Sequence, residues 1–363
     1  FKNLIMNSHY TPILKAKSGE FKALKKLKIE TRENLTPLFE IPPITYDYVN
    51  EKPSKTIEKH LQTIINGISG TGRRQFPCYI DVELLDEIKI RNKYILLSLL
   101  ENLREKREFG IPVIRLKFDN DYLNELKHEI QNNSKRICVR LTQDDFEDFD
   151  LQVEIERIIE VLEINLNQID IVLDFGFLRN EQESMLSQFS KLMVNSLPFL
   201  NDYNKIILSL TAFPENLSGI SGDSMEKIPR SEFKIWKNII ASKIKRKPEF
   251  GDYAIANPEL FEMDPRTIRM SVNLRYTIAN DWLILKGRDA KRFGYDQFYG
   301  LCDQLVNHSG EFYGEDFSWG DNEILEKSRQ IGGTGNATTW RQIGTNHHLE
   351  LVVDQLSSIP FDS

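Results

Sequence analysis

The chain has 363 residues, of which 40% are hydrophobic and 28% are charged, and this composition excludes the fibrous, disordered and disulfide-stapled classes of protein. Its 47 Lys and Arg residues against 54 Asp and Glu residues give a formal charge of −7, which argues against nucleic acid or an anionic membrane as a partner. The three cysteines are widely spaced, and Cys78 and Cys138 lie in strand-like runs that predict buried free thiols. No apolar run is long enough to span a bilayer and no signal-peptide pattern is present, so we expect a cytoplasmic location.

Short β-branched or aromatic runs alternate along the chain with longer segments of helical periodicity. The predicted strands are Tyr10–Ala16, Leu35–Ile41, Pro77–Glu83, Pro112–Phe118, Lys135–Leu141, Ile169–Phe175, Lys205–Thr211 and Gly251–Ala256. The clearest predicted helices are Lys93–Arg107, Leu151–Leu162, Glu181–Val194 and Ser231–Ile244. Eight strands, each followed by a helix or by a loop able to hold one, predict an α/β protein of the (β/α)8, TIM-barrel-like class. An open doubly wound sheet is the competing architecture, but no glycine-rich phosphate turn follows the first strand.

The residues after the eighth strand exceed what a minimal barrel needs. They contain a predicted β-hairpin and two predicted helices: Ser271–Ala279 with Asp281–Lys286, Tyr295–Val306 and Thr338–Leu356. We therefore predict a barrel core at residues 1–256 and a C-terminal elaboration at residues 257–363 that packs on it as part of a single structural unit.

Within each predicted strand, one set of alternating residues is apolar and the opposite set becomes polar towards the C-terminal end. In a closed barrel the apolar set faces the helices, so the polar set faces the interior at the rim where barrel enzymes place their chemistry. The predicted rim residues are Lys15, Lys17, Glu40, Asp81, Glu83, Arg115, Lys117, Arg140 and Asp174.

Two interpretations of these rim charges are open. Charges that lie close together and shielded from water must pair with one another or bind a charged ligand, because leaving them unpaired is costly. They form either a structural salt-bridge lattice or a site in which Lys and Arg hold an anionic, phosphate- or nucleotide-bearing small ligand. In the second interpretation Glu40, Asp81 or Asp174 acts as general acid or base, or binds a hard cation such as Mg²⁺ or Mn²⁺. The sequence defines neither a metal ligand set nor an oligomeric state.

The C-terminal region adds candidates of its own. The glycine-rich segment Gly332–Arg341 leads into a predicted helix and suits either a phosphate-binding turn or a flexible loop with a helix cap. Further along that helix His347 and His348 are adjacent, so their side chains point about 100° apart and do not chelate one metal ion together. We predict that Arg341, Asn346 and one histidine close the rim site, with His347 as an acid or base.

Both ends of the chain carry motifs of a known family. Tyr10–Glu20 together with Leu35–Pro43 resembles the opening of the phage beta-protein family, and Thr338–His348 resembles its closing signature. The resemblance covers nearly the whole chain. It implies a context of phage defence or counter-defence, and it assigns no catalytic residue.

A rival function is a non-enzymatic binding protein that grips a phage or host protein. The aromatic segment Phe312–Trp319 would suit such a surface, or else packs as an ordinary loop. The barrel rim discriminates between the two functions, because an open cavity favours a small ligand and a mouth covered by the C-terminal helix favours the binding protein. A role in nucleic-acid binding is disfavoured by the acidic pI of about 5.6 and by the lack of a basic stripe with interleaved aromatic residues.

Overall fold

Eight parallel strands close into a barrel in the computed structural model, which describes residues 10–73, 76–178, 183–259 and 270–359. The barrel strands are β1 (Tyr10–Lys15), β2 (Leu38–Glu40), β3 (Cys78–Asp81), β4 (Gly110–Ile114), β5 (Ile137–Leu141), β6 (Ile169–Phe177), β7 (Lys205–Thr211) and β8 (Glu249–Asp252). Each strand pairs with its neighbours in sequence, and β8 pairs with β1 to close the ring. The predicted (β/α)8 barrel is therefore confirmed and the open sheet is excluded.

Helices surround the barrel and continue beyond it. They are α1 (Ser18–Lys25), α2 (Ile29–Glu33), α3 (Ile57–Gly70), α4 (Ile95–Glu105), α5 (Asn120–Glu129), α6 (Asp145–Asp148), α7 (Leu151–Leu162), α8 (Glu183–Ser196), α9 (Ser231–Ala241), α10 (Ala290–Phe293), α11 (Gln297–Asp303), α12 (Trp319–Ser328) and α13 (Ala337–Ser357). The first two residues of the predicted helix Glu181–Val194 lie outside the described residues. None of the helices in the described residues has the length and apolarity that crossing a membrane requires.

Side-chain alternation along the strands separates two apolar layers, as predicted. Residues of one parity, such as Ile80, Val139 and Leu173, join the large core between the barrel and its helices. The opposite parity fills the barrel interior with Ile13, Leu38, Tyr79, Ile111, Val113, Cys138, Val172, Ile207 and Tyr253. Because successive side chains on a strand point to opposite faces, the residues that follow this interior set at the strand ends also point inward.

Two boundaries differ from the sequence prediction in a way that hydrogen bonding explains. The strand predicted to end at Phe118 stops at Ile114, because the backbone turns there and the Phe118 N–H donates to the Arg115 carbonyl at 3.0 Å. The helix predicted from Lys93 begins at Ile95, since Lys93–Tyr94 pairs with Lys89–Ile90 in a short antiparallel hairpin. A second short hairpin joins Tyr46–Asp47 to Lys52–Pro53.

Two strands of the C-terminal elaboration form a three-stranded antiparallel sheet, here called the added sheet, with a strand that precedes β8. The strand order is Ser224–Pro229, Asp281–Asp289 and Ser271–Thr277. The hairpin of its last two strands in sequence is confirmed, whereas the strand Ser224–Pro229 is not predicted by the sequence analysis. Helix α13 packs between this sheet and α1, and buried residues occur on every side of its central turns. A helix that is buried all round needs partners on all its faces, and the added sheet, α1 and α12 supply them.

Candidate functional site

A cavity of about 570 Å³ lies at the C-terminal ends of the barrel strands and is here called the mouth cavity. Its lining residues include Lys15, Glu40, Asp81, Glu83, Arg115, Arg140, Thr142, Gln143, Asp144, Asp174, Tyr253, Pro258 and Glu259. Seven of the nine predicted rim residues are in this set. No residue of α13 lines the cavity, so the C-terminal helix does not cover the mouth.

Arg140 is the centre of the mouth cavity. Its Nη1 donates to Asp81 Oδ2 at 2.6 Å and its Nε donates to Asp174 Oδ2 at 2.9 Å. Its Nη2 lies 2.9 Å from Glu40 Oε1 and 2.8 Å from the Tyr253 hydroxyl, which in turn donates to Asp174 at 2.6 Å. Burial opposes the charged form of Arg140, but these partners together raise its pKa well above the usual value. The planar guanidinium thus joins three carboxylates of three different strands.

A second arginine extends the network towards solvent. Arg115 Nη2 lies 2.7 Å from Asp81 Oδ2 and 2.6 Å from Glu83 Oε2. Burial raises the pKa of Asp81, but the charges of Arg115 and Arg140 outweigh it and lower that pKa to about 2. Asp81 is therefore ionised at neutral pH and serves as an acceptor for two guanidinium groups.

Lys15 is also paired, because its Nζ bonds to Glu40 and donates to the Pro258 carbonyl at 2.8 Å. The three cations that line the mouth cavity in the described residues consequently all contact carboxylates. The lining carboxylates are more numerous, namely Glu40, Asp81, Glu83, Asp144, Asp174 and Glu259. A lattice of mutually paired charges, one of the two interpretations of the sequence, is present at the mouth.

Two predicted rim lysines lie elsewhere. Lys117 follows the turn that ends β4, so it leaves the inward alternation and pairs at 2.6 Å with Asp86, with half of its side chain exposed. Lys17 lies beyond the end of β1, is exposed, and lines a separate cavity between α1 and α3. The prediction that these two side chains face the barrel interior is wrong, because both strands end earlier than the apolar pattern suggests.

The paired histidines of α13 are fully buried behind the barrel and do not reach the mouth cavity. His348 Nε2 lies 2.9 Å from Asp252 Oδ2 and its Nδ1 lies 2.9 Å from Thr277 Oγ1. His347 contacts Asp321 at 2.8 Å and the Thr277 carbonyl at 2.7 Å. Burial lowers the pKa of His348, although Asp252 acts in the opposite direction. Every ring nitrogen of the pair is bonded within the protein, so both histidines hold α13 to its neighbours.

Asn346 and Arg341 also lie away from the mouth cavity. The Asn346 side chain donates to the Ala23 carbonyl at 3.2 Å and accepts from the Gly320 N–H at 2.9 Å, which ties α13 to α1 and α12. Arg341 Nη1 donates to the Ile255 carbonyl at 3.2 Å. The expectation that Arg341, Asn346 and a histidine close the rim site is therefore not met.

Sequence reasoning missed Tyr253 as a member of the site. It follows β8 directly, belongs to the interior apolar set, and bonds to both Arg140 and Asp174. The signal was available, since Tyr253 shares the inward parity of Gly251 in the predicted eighth strand. Asp252, by contrast, faces the helix layer and accepts from the Tyr10 hydroxyl at 2.6 Å.

The described residues contain no group of three or more His, Cys, Asp or Glu side chains placed to hold a metal ion. The physical reason at the mouth cavity is that Glu40, Asp81 and Asp174 converge on the guanidinium of Arg140, which occupies the position a cation would take. Mg²⁺ or Mn²⁺ therefore finds no ready ligand set in this part of the chain.

Comparison with known proteins identifies the family of this chain. Among curated proteins no match is found. One solved structure of tryptophan synthase from M. tuberculosis aligns at 9% identity over 56% of this chain and 82% of its own, with a TM-score of 0.22. A second structure of the same enzyme aligns at 10% identity over 51% of this chain and 80% of its own, with a TM-score of 0.23. Likenesses that weak carry no argument, and the barrel is established by its own strand order. Residues 10–354 match the family described as Beta protein, so the chain belongs to the Beta protein family.

Proposed function

We propose that this barrel protein binds an anionic, phosphate- or nucleotide-bearing small ligand in the mouth cavity, with Arg115 as the group that receives the anion. The observation that carries this proposal is the pair formed by Arg115 and Glu83. The Arg115 side chain is only 5% exposed, whereas the Glu83 side chain is 42% exposed. Glu83 lies on the short turn Glu83–Leu85 after β3, so its carboxylate can leave the guanidinium without disturbing the barrel.

The charge balance of the mouth cavity favours binding by exchange, in which the incoming anion takes the place of a carboxylate. Because carboxylates outnumber cations among the described lining residues, an added anion is favourable where it replaces a carboxylate. Arg140 is enclosed by three carboxylates and Tyr253, and none of these is exposed as Glu83 is. Arg115 also keeps a buried Nε without a hydrogen-bond partner in the described parts of the chain. A phosphate in the place of Glu83 would add a second acceptor to a guanidinium that can bind two.

A hydrolytic step, if the ligand is a phosphate ester, requires a base for the attacking water. Asp81 is a poor base, because its pKa of about 2 leaves it little affinity for a proton at neutral pH. Glu40 and Asp174 line the same cavity and are the groups that we propose for proton transfer. Binding is the primary proposal and does not depend on this step.

The test combines mass spectrometry of small molecules that co-purify with the protein and calorimetric titration with inorganic phosphate, pyrophosphate and AMP. Arg115→Gln should lose the ligand or bind it at least about tenfold more weakly, as expected for a charge-assisted contact. Lys117→Gln is the matched control, since Lys117 follows the same strand but lies outside the mouth cavity. Equal binding by wild type and Arg115→Gln, or no binding of any of the three probes to the wild type, would overturn the proposal.

The alternative of a protein-binding surface receives less support. The mouth is not covered by α13. In the segment 312–319, Phe312, Phe317 and Trp319 are half-buried, whereas Tyr313 is exposed. The Tyr313 ring lies 4.8 Å from that of Phe317, and the Phe317 ring lies 5.5 Å from His347. A cytoplasmic role in phage defence or counter-defence is proposed on the family alone. Phage plating on cells that express the wild type or Arg115→Gln tests it, and equal plating on both would remove the link to this site.

A further inference from the structure

A second cavity, of about 340 Å³, lies between the N-terminal end of α13 and the added sheet and is here called the α13 cavity. Its lining residues include Ile255, Val272, Asn273, Arg275, Tyr295, Phe298, Asn336, Ala337, Trp340 and Arg341. None of these residues lines the mouth cavity. The two cavities are therefore separate sites.

Arg275 is a partly buried guanidinium with no carboxylate within ion-pair distance in the described residues. Its Nη1 donates to the Ile255 carbonyl at 2.9 Å and its Nε donates to Asn273 Oδ1 at 3.2 Å. Burial, together with the charge of Arg341, lowers the pKa of Arg275 to about 9. A shielded cation without a counter-ion is costly, because its desolvation is not offset by an ion pair.

Arg341 brings a second positive charge to the same place. It donates to the same Ile255 carbonyl, at 3.2 Å, and its nearest carboxylate in the described residues is Glu20, 3.7 Å away. Burial raises the pKa of Glu20, although Arg341 acts in the opposite direction, so this carboxylate is held less firmly in its charged form. The two guanidinium groups thus share the Ile255 carbonyl oxygen, and in the described residues only Arg341 has a carboxylate beside it.

The backbone adds to this positive field. Helix α13 is 21 residues long and starts at Ala337, after Asn336 caps it by accepting from the Thr339 N–H at 3.1 Å. The first-turn N–H groups of a helix carry partial positive charge, which favours an anion there. The preceding glycines include Gly335, whose φ of +75° suits glycine and forms the turn that leads into the helix. This is the segment whose sequence already suggested an anion-binding turn.

From these observations we propose that the α13 cavity is a binding site for a small phosphate monoester. The phosphate lies between Arg275, Arg341 and the N-terminal end of α13, where it supplies the counter-ion that Arg275 does not find among the described residues. The remainder of the ligand lies against Tyr295 and Phe298, and the cavity volume is in the range typical of small-molecule sites. Two arginines and a helix N-terminus form a dianion site, which selects phosphate over a singly charged carboxylate.

Titration calorimetry with inorganic phosphate and with AMP tests this site directly. In the Arg115→Gln background, where the mouth cavity does not contribute, Arg275→Gln should weaken the binding of both probes by about tenfold or more, and Arg275→Lys should weaken it less. Arg288→Gln is the matched control, since Arg288 belongs to the same sheet but pairs with Asp223 outside the cavity. Arg115→Gln, which alters only the mouth cavity, should leave this binding event unchanged, so that failure at one site is distinguishable from failure at the other.

Thermal unfolding provides the second readout. In the Arg115→Gln background, phosphate should raise the melting temperature, and adding Arg275→Gln should abolish that rise. Without phosphate, Arg275→Gln should be about as stable as the wild type, because an uncompensated charge is removed. A large loss of stability in Arg275→Gln with an unchanged response to phosphate would show a structural role and overturn the proposal. If Arg275→Gln does not fold, Arg341→Gln replaces it as the test variant. Phosphate binding at the α13 cavity as tight as in the wild type would then overturn the proposal.

Discussion

Replacing Arg140 with methionine is expected to destabilise the barrel by about 3–5 kcal/mol, the range for removing one partner of a buried ion pair. The Arg140 side chain is 4% exposed and contacts Asp81 at 2.6 Å and Glu40 at 2.9 Å as well as Asp174. In the variant, Glu40 keeps Lys15 as its partner and Asp81 keeps Arg115. Asp174 keeps no cation in the described residues, so the variant buries an unpaired carboxylate.

The pH dependence of this loss has a definite sign. In the wild type the pKa of Asp81, about 2, is below its ordinary value of 3.8, so its contribution of about 2 kcal/mol is present at neutral pH and is lost as the pH falls towards 2. In Arg140→Met, Asp81 loses one of the two guanidinium charges that lower its pKa. Less of that contribution is present in the variant at neutral pH, so less is lost as the pH falls from about 4 to about 2. The free energies of unfolding of the two proteins should therefore converge in acid.

Urea unfolding followed by far-UV circular dichroism, at about pH 7 and about pH 3, measures both effects. Arg288→Met is the control, because its ion pair with Asp223 is more than half exposed and should cost less than about 1 kcal/mol. A loss below about 1 kcal/mol in Arg140→Met, or a deficit of equal size at both pH values, would refute the view that this guanidinium neutralises the mouth of the barrel.

Three further predictions concern single side chains. Glu83→Gln removes the carboxylate that competes with a bound anion, so calorimetry should show roughly three- to tenfold tighter binding of AMP in the mouth cavity. An unchanged affinity for AMP would argue against binding by exchange. Burial raises the pKa of Glu232 from 4.5 to about 8, so the contribution of this carboxyl group to stability is lost as the pH rises through that range. In urea unfolding, Glu232→Gln should therefore lose less stability than the wild type as the pH rises to alkaline values. Gly67→Ala would place a Cβ 2.2 Å from the Phe21 ring and should cost about 1–3 kcal/mol in the same assay, whereas Gly300→Ala, with no atom within 4 Å, should not.

The sequence by itself determined the barrel and the direction in which its strand-end charges point. Both follow from local alternation, because neighbouring side chains on a strand face opposite sides whatever the rest of the chain does. Thus Tyr79 and Asp81 face inward while Ile80 faces the helices. The same pattern failed at Lys117, since apolar alternation continues past Ile114 although the strand ends there. Where a strand ends depends on the hydrogen bonds of its neighbours, which local sequence does not specify.

Only the tertiary structure decided which charges meet. Arg140 bonds to Asp174, 34 residues away on the neighbouring strand β6, and to Asp81, 59 residues away on β3. Barrel curvature brings the ends of the nonadjacent strands β3 and β5 to one point. Histidine is a common catalytic residue, yet His347 is buried because the added sheet and α12 cover that side of α13. Arg275 and Arg341 both line the α13 cavity, although the local sequence of neither segment indicates that the two lie close together. Side-chain direction is a local property of the backbone, whereas the partner of a side chain is fixed by the packing of distant elements.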